Sequence, residues 1–282
     1  MITIAHGRHE PLLGQQRALR RSDVRPDLRI VVAIDDPVLA ALLTDDPDTM
    51  VVRHGGTTTG LPLAAARNAG ARHALTLGAE LLIFLDVDCL PGAAMVGEYV
   101  NAAVGADLLC GPVAYLPPPP PGGYQLDELS RYPFHPARPV PAPGSVMPGG
   151  DHRLFWSLSF AVRAEQWRQI GGFNERYVGY GGEDTDFAML ARAAGIGVSW
   201  VGGAAAYHQW HPVDAPPIGH LADILRNGAV FAQRWGWWPM EGWLRQFADL
   251  GLVDQTPDGR WTAIPSATAP AIPSAIPWEV PR

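Results

Sequence analysis

Lysine is missing from this sequence: all 21 basic residues among its 282 are arginine. Chemistry that needs a lysine amine is therefore excluded, including the phosphate-cradling lysine of Walker-type nucleotide sites, Schiff-base and pyridoxal-phosphate catalysis, and the ion pair of protein kinases. GC-rich coding bias accounts for the gap and for the many Ala, Gly, Pro and Arg residues, and the exclusion holds whatever its origin. Cysteine is nearly as scarce. Cys89 and Cys110 lie in apolar contexts without metal or redox spacing, which predicts reduced core thiols in a cytoplasmic protein. Long apolar runs are absent too, since stretches such as Leu81–Leu85 are far too short to span a bilayer. Met1-Ile-Thr-Ile-Ala5 gives way at once to polar His6-Gly-Arg-His-Glu10, so no secretory leader is expected. A net charge of −7 without any arginine run argues against a nucleic-acid partner.

What is present describes an enzyme-sized chain, 47% hydrophobic, able to bury a substantial single core, or one core with an elaborated second lobe. Strand-like and helix-like segments alternate over the first hundred residues, the signature of an α/β fold with a mostly parallel sheet. Strands are predicted at Met1–Ala5, Ile30–Ile34, Thr49–Arg53 and Leu81–Leu85, and helices at Leu12–Arg21, Pro37–Leu43 and Leu61–Leu77. The last of these strands is continuously apolar, as a strand covered on both faces would be. A further strand is predicted at Leu108–Val113. Residues 114–150 then form a proline-rich loop with little period, of the kind that is usually functional or mobile. Order returns with a strand at Phe155–Val162 and helices at Ala164–Ile170 and Glu183–Ala194; Phe187, Leu190, Ala191 and Ala194 give the second helix an inward face. C-terminal helices are predicted at Ile218–Trp235 and Met240–Leu250, before a proline-rich tail over 263–282. The chain therefore divides into a first half (1–113), the loop, a second half (151–212), C-terminal helices (213–262) and the tail.

Three clusters can carry chemistry. Asp86-Val-Asp88 follows a buried strand, where ligands of open parallel sheets bind, and alternate side chains of extended chain point the same way. Two carboxylates so placed can hold a hard divalent cation against phosphate oxygens, although on its own an Asp-x-Asp is weak evidence and favours a pair of solvated turn acids. Gly179-Tyr-Gly-Gly-Glu-Asp-Thr-Asp186 puts three acids on the first turn of a helix. The helix dipole favours acids there and accounts well for Asp186, but it gives no reason for three glycines and an aromatic directly before them. Tyr207-His-Gln-Trp-His-Pro212 supplies a histidine pair, either of which can add an imidazole to a metal held by carboxylate.

In this order, the three motifs make the sequence resemble a GT-A fold glycosyltransferase, close to the bacterial family-2 enzymes and to the C-terminal domain typical of beta-1,4-galactosyltransferases. The most specific portion is Gly171-Gly-Phe-Asn-Glu175 with Tyr177-Val-Gly-Tyr-Gly-Gly-Glu-Asp-Thr-Asp186. Ala5-His-Gly-Arg-His-Glu-Pro-Leu-Leu13 and Ala66-Arg-Asn-Ala-Gly70 are similar to the family's nucleotide-side segments. The resemblance spans roughly residues 1 to 250 without the proline-rich loop. It implies a GT-A, Rossmann-like sheet flanked by helices, with a C-terminal helical extension. It also implies a UDP-sugar donor, Mn2+ or Mg2+ as cofactor, and transfer of a hexose, galactose-like or N-acetylhexosamine, to a saccharide or glycoside hydroxyl with inversion. Asp88 would bind the metal with His208 or His211, Asp86 would sit by the ribose or metal, and Arg8 and Arg67 would meet the nucleotide or its phosphates. Asp184 would be the general base, with Glu183 positioning a sugar. Tyr180 stands where the galactosyltransferases carry a tryptophan on a mobile glycine-rich loop, a departure that leaves ring stacking open and the sugar unspecified.

Two rivals are weighed against transfer. A sugar nucleotidyltransferase would use lysine near its phosphates and has no place for Gly-Gly-Glu-Asp, while a noncatalytic sugar- or nucleotide-binding protein would not require Asp184. The tryptophan-rich segment Trp235–Trp243 reads first as packing of the last helices. Its other reading is an exposed patch for a lipid-linked acceptor at the inner membrane face.

Overall fold

The structure, a computed structural model, describes residues 1–43, 46–105, 107–212 and 214–265. The expectation for the proline-rich tail falls mainly on residues 266–282, outside the described residues. In chain order the elements are β1 (Ile2–Ala5), α1 (His9–Leu19), β2 (Arg29–Ile34), α2 (Leu39–Leu42), β3 (Thr49–His54), α3 (Leu63–Thr76), β4 (Leu81–Leu85), β5 (Cys89–Pro91), α4 (Met95–Ala102), β6 (Leu108–Cys110) and β7 (Val113–Tyr115). There follow β8 (Val146–Met147), β9 (Ser159–Arg163), α5 (Ala164–Ile170), α6 (Glu183–Ala193), β10 (Val198–Val201), β11 (Ala206–His208), α7 (Leu221–Trp235), α8 (Glu241–Asp249), β12 (Val253–Gln255) and β13 (Trp261–Ala263).

Eight strands form the central sheet in the order β3-β2-β1-β4-β9-β6-β10-β8. The first four are parallel, as their alternation with helices predicts. Beyond them the sheet is mixed: β9 runs antiparallel to both β4 and β6, and β8 antiparallel to β10. The two halves of the chain thus share one sheet. The apolar run of β4 serves two layers, with Leu82 and Phe84 facing one core cluster and Ile83 and Leu85 facing another. Phe84 stacks on Phe160 of β9 at 4.6 Å, within an aromatic core that also holds Trp167, Phe173 and Phe187. Helix α3 lies so close to β1 that a Cβ on Gly70 would come within 2.5 Å of Ile2, which requires glycine there.

The strand predicted over Leu108–Val113 is broken at Gly111-Pro112, where a Cβ on Gly111 would meet the Ala204 carbonyl at 1.8 Å and Pro112 has no N–H to donate. The chain passes from β6 in the large sheet to β7 in a three-stranded sheet ordered β5-β11-β7. There His208 pairs with Cys89 on one side and Tyr115 on the other. Two distant segments, the one after β4 and the one after β10, are brought together by this register.

Helices α7 and α8 pack with the β12–β13 hairpin around Ile224, Trp238, Leu244, Phe247 and Leu252. Trp238 is buried in this cluster and Trp243 packs against it, Trp235 donates Nε1 to Asp186 at 2.7 Å, and Trp237 is exposed with its edge on Phe231. Asp186 is fully buried and also accepts from Tyr177 Oη (3.2 Å) and Arg234 Nη1 (3.1 Å), so it ties the start of α6 to α7. Asp186→Ala strands three donors around a buried gap. It is expected to cost about 3 kcal/mol and lower Tm by roughly 5 °C, measured by thermal unfolding. A shift under about 2 °C would show that the three donors find other partners.

Candidate active site

The chain leaves β4 at Leu85 and turns at once. Asp86 N–H bonds the Leu158 carbonyl at 2.8 Å, and Cys89 N–H bonds the Asp86 carbonyl at 2.9 Å. Because residues 86–88 form a turn rather than extended chain, the two-residue period does not apply and the two carboxylates do different things. Asp86 accepts from Arg67 Nη2 at 3.0 Å. Asp88 faces the histidines, with Oδ1 3.7 Å from His208 Nε2 and Oδ2 3.7 Å from His211 Nε2.

One ligand atom from each of the three residues lies within 4.8 Å of the other two. The 3.7 Å separations are too long for hydrogen bonds and suit donors sharing an ion about 2.1 Å from each. One histidine faces each carboxylate oxygen, so the spacing that leaves His208 and His211 as competitors in the sequence brings both to the same point. Burial, His211 and Arg8 hold the His208 imidazole below its ordinary pKa, against the pull of Asp88, and neutral imidazole is the form that ligates a metal. Arg8 is exposed and left-handed (φ 51°) at the start of α1, beside Gly7 and His9, which bond Asp36 at 2.9 and 2.8 Å. That turn brings the Arg8 charge near His208.

On the other side of Arg67 stands the acid pair. Gly179, Gly181 and Gly182 have φ of 74°, 89° and 89°, a left-handed run that only glycine adopts without strain. It delivers Glu183 and Asp184 on the first turn of α6. Arg67 is buried, gives Nη1 to Glu183 at 3.2 Å and Nη2 to Asp86, and lies over the Phe173 ring at 5.4 Å. Its guanidinium thus bridges the first motif and the second. Asp184 Oδ1 accepts the Thr185 N–H at 2.7 Å. Burial raises both carboxyls; for Glu183 the neighbouring Asp184 charge adds to it and Arg67 opposes it, leaving Glu183 pushed up to about 7.

The glycine-rich loop is pinned by α7. Asp223 accepts the Tyr180 N–H at 3.1 Å, and the Asn227 amide reaches the carbonyls of Val178, Tyr180 and Gly181 at 2.9 to 3.2 Å. The Tyr180 ring stacks on His220 at 4.5 Å and tilts toward Trp243 at 5.7 Å. Burial, and after it the charges of Asp184, Glu183 and Asp86, push the Tyr180 hydroxyl up to about 12.

Sequence reading missed the wall beside the histidines. The Tyr115 ring lies 4.8 Å from His208, His135 packs edge-on to Trp156 at 4.9 Å, and the Arg138 guanidinium sits 4.1 Å over Trp156. Tyr115, His135 and Arg138 come from the proline-rich segment, which therefore lines the site. Only the pairing of β7 with β11 reveals this, since no motif or period marks those residues.

The architecture, a parallel first half joined through an antiparallel strand to a second half with both motifs at the junction, is the GT-A glycosyltransferase fold. Residues 151–211 match the family described as the N-terminal domain of galactosyltransferase, a segment that includes Glu183, Asp184, His208 and His211. The validoxylamine A glucosyltransferases of two Streptomyces hygroscopicus subspecies, jinggangensis (strain 5008) and limoneus, are each 31% identical over 161 residues, 49% of this chain and 36% and 34% of theirs. The alignment thus spans about a third of those relatives' length. Among solved structures, S. aureus TarS 1-349 superposes with TM-score 0.55 at 15% identity, covering 82% of this chain and 63% of that one. GalNAc-T7 with UDP, GalNAc and Mn2+ superposes with TM-score 0.53 at 14% identity, covering 74% and 43%. Among the described residues, no helix is long and apolar enough to cross a membrane.

Proposed function

We propose that this chain is an inverting glycosyltransferase that moves a hexose from a UDP-sugar to the hydroxyl of a saccharide or glycoside acceptor. The observation that carries the reading is one continuous arrangement: a carboxylate–imidazole cluster (Asp88, His208, His211) and a raised acid pair (Glu183, Asp184), joined through Asp86 and Arg67. The glucosyltransferase relatives and the UDP- and Mn2+-bound structural neighbour support it.

Asp88, His208 and His211 would hold a divalent cation, and their mixed carboxylate and imidazole donors suit Mn2+ better than Mg2+. Such a cation supplies charge stabilisation for a diphosphate leaving group. Arg8 adds a guanidinium on the same side, in a chain with no lysine to do so. Asp184 takes the proton of the acceptor hydroxyl as its oxygen attacks the anomeric carbon. A carboxyl whose pKa is raised by burial is a stronger base than a solvated one, and Arg67 keeps the pair ionisable by compensating Glu183. Glu183, fixed by Arg67, orients a sugar hydroxyl. Tyr180, held on its pinned loop, presents a ring beside the acids. A single displacement opposite the leaving group turns an α-linked donor into a β-linked product.

A panel of UDP-sugars incubated with the protein and Mn2+ tests this without knowledge of the acceptor. Slow, Mn2+-dependent hydrolysis of one or two UDP-hexoses, read as UDP release, is expected. No UDP binding and no release from any of them would overturn the reading.

A further inference from the structure

Gln15 on α1 is fully buried, and its amide has no free hydrogen-bonding position on the donor side. Oε1 accepts from Thr3 Oγ1 at 3.0 Å and Arg29 Nη2 at 2.9 Å. Two donors on one atom fix which end of the amide is oxygen. Nε2 must then face the other way, and it donates to the Asp86 carbonyl at 2.8 Å and the Cys89 carbonyl at 3.1 Å. Those two carbonyls bracket the turn that carries Asp88. The same helix also seats the histidine side. Gln209, between His208 and His211, gives its N–H to the Asp88 carbonyl at 2.7 Å and its side-chain amide to the Pro11 carbonyl at 3.0 Å.

We infer that Gln15 is a positioning residue for the cation cluster: its amide sets the Asp86–Cys89 turn so that Asp88 faces His208 and His211. The inference rests on the cation reading proposed above. A hydrocarbon side chain at this position would take the amide donor from both carbonyls, leaving the Asp86 carbonyl only the Cys89 N–H, and would take the acceptor from Thr3 and Arg29. Glutamate would keep the acceptor for Thr3 and Arg29 but set an oxygen against both carbonyls, so Gln15→Glu isolates the donors that hold the turn. Thr3→Val is the complementary variant, removing one bond to Oε1 from the same buried network while leaving Nε2 on the turn.

The test measures Mn2+ affinity by calorimetry and Tm on the full chain. Gln15→Glu is expected to weaken Mn2+ binding by about tenfold, the scale on which groups that orient metal ligands act. Thr3→Val should lower Tm with Mn2+ affinity unchanged. The inference is overturned if Gln15→Glu binds Mn2+ as wild type does, or if Thr3→Val loses as much affinity as Gln15→Glu, since core integrity would then explain both. A measurement on the wild type covers failure of Gln15→Glu to fold. On titration with Zn2+, a diamagnetic ion suited to these donors, the Gln15 side-chain amide resonances should move and those of buried Gln166 on α5 should not. Unmoved Gln15 resonances would also refute the role. Wild type that binds neither ion would instead overturn the cation site itself.

Discussion

Asp184→Asn is expected to lower transfer by about 10^2- to 10^4-fold, the range general-base removal gives, while UDP still binds in the presence of Mn2+. Asparagine is nearly the same shape and can still accept the Thr185 N–H that Asp184 Oδ1 takes at 2.7 Å, so the first turn of α6 keeps its geometry. What it cannot do is accept a proton from the acceptor hydroxyl. The pH profile gives a second readout. Burial holds protons on Glu183 and Asp184 to higher pH than solvated carboxyls, with Glu183 pushed up to about 7. A base works only when deprotonated, so wild-type kcat/KM should rise with pH through a limb displaced upward from the ordinary carboxylate range. In Asp184→Asn the like charge beside Glu183 is gone, so Glu183 should titrate lower and the residual rate should lose that limb. Normal turnover in the variant would show that Asp184 is not the base.

The parallel half of the fold was legible because β1, β2, β3 and β4 are short runs separated by helical segments, and β1, β2 and β3 pair with strands next to them in the chain. The second half was less so. β9 draws its place from pairing with β4, more than seventy residues earlier, and no local pattern announces an antiparallel insertion. Helix α4 lies just after a Pro-Gly turn in a short mixed stretch, and β10 is four residues in a glycine-rich segment, so neither offers a window long enough for periodicity to register. The helices α5 and α6 were readable for the opposite reason. At the site, the motifs named the acids and histidines. They could not tell that Asp86 and Asp88 face different partners, because that depends on where β4 ends. They also could not tell that Arg67, expected at the nucleotide or its phosphates, is bonded to two carboxylates, because that depends on the sheet placing α6 against α3. Gln15 carried no signal at all, since a buried glutamine acting on backbone carbonyls has no characteristic spacing.

Asp88→Ala should abolish the metal dependence of UDP binding. In wild type the affinity for UDP is expected to be higher with Mn2+ than without, and the ratio should fall to near one in the variant. The argument is geometric: Asp88 is the member of the cluster that meets both imidazoles, one on each oxygen at 3.7 Å. Without it, His208 and His211 remain as two imidazole donors with no anionic partner, a weak site for Mn2+. The fold should survive. The bonds that hold the turn run through the backbone carbonyls of Asp86, Asp88 and Cys89, which alanine retains. His211→Ala removes a donor from one oxygen only and should weaken Mn2+ binding less than Asp88→Ala does. The graded order, Asp88 above either histidine, separates a coordinating cluster from a salt bridge. If the three residues were only ion-paired, calorimetry would find the same Mn2+ effect on UDP binding in wild type and Asp88→Ala, and the cation assignment would fail.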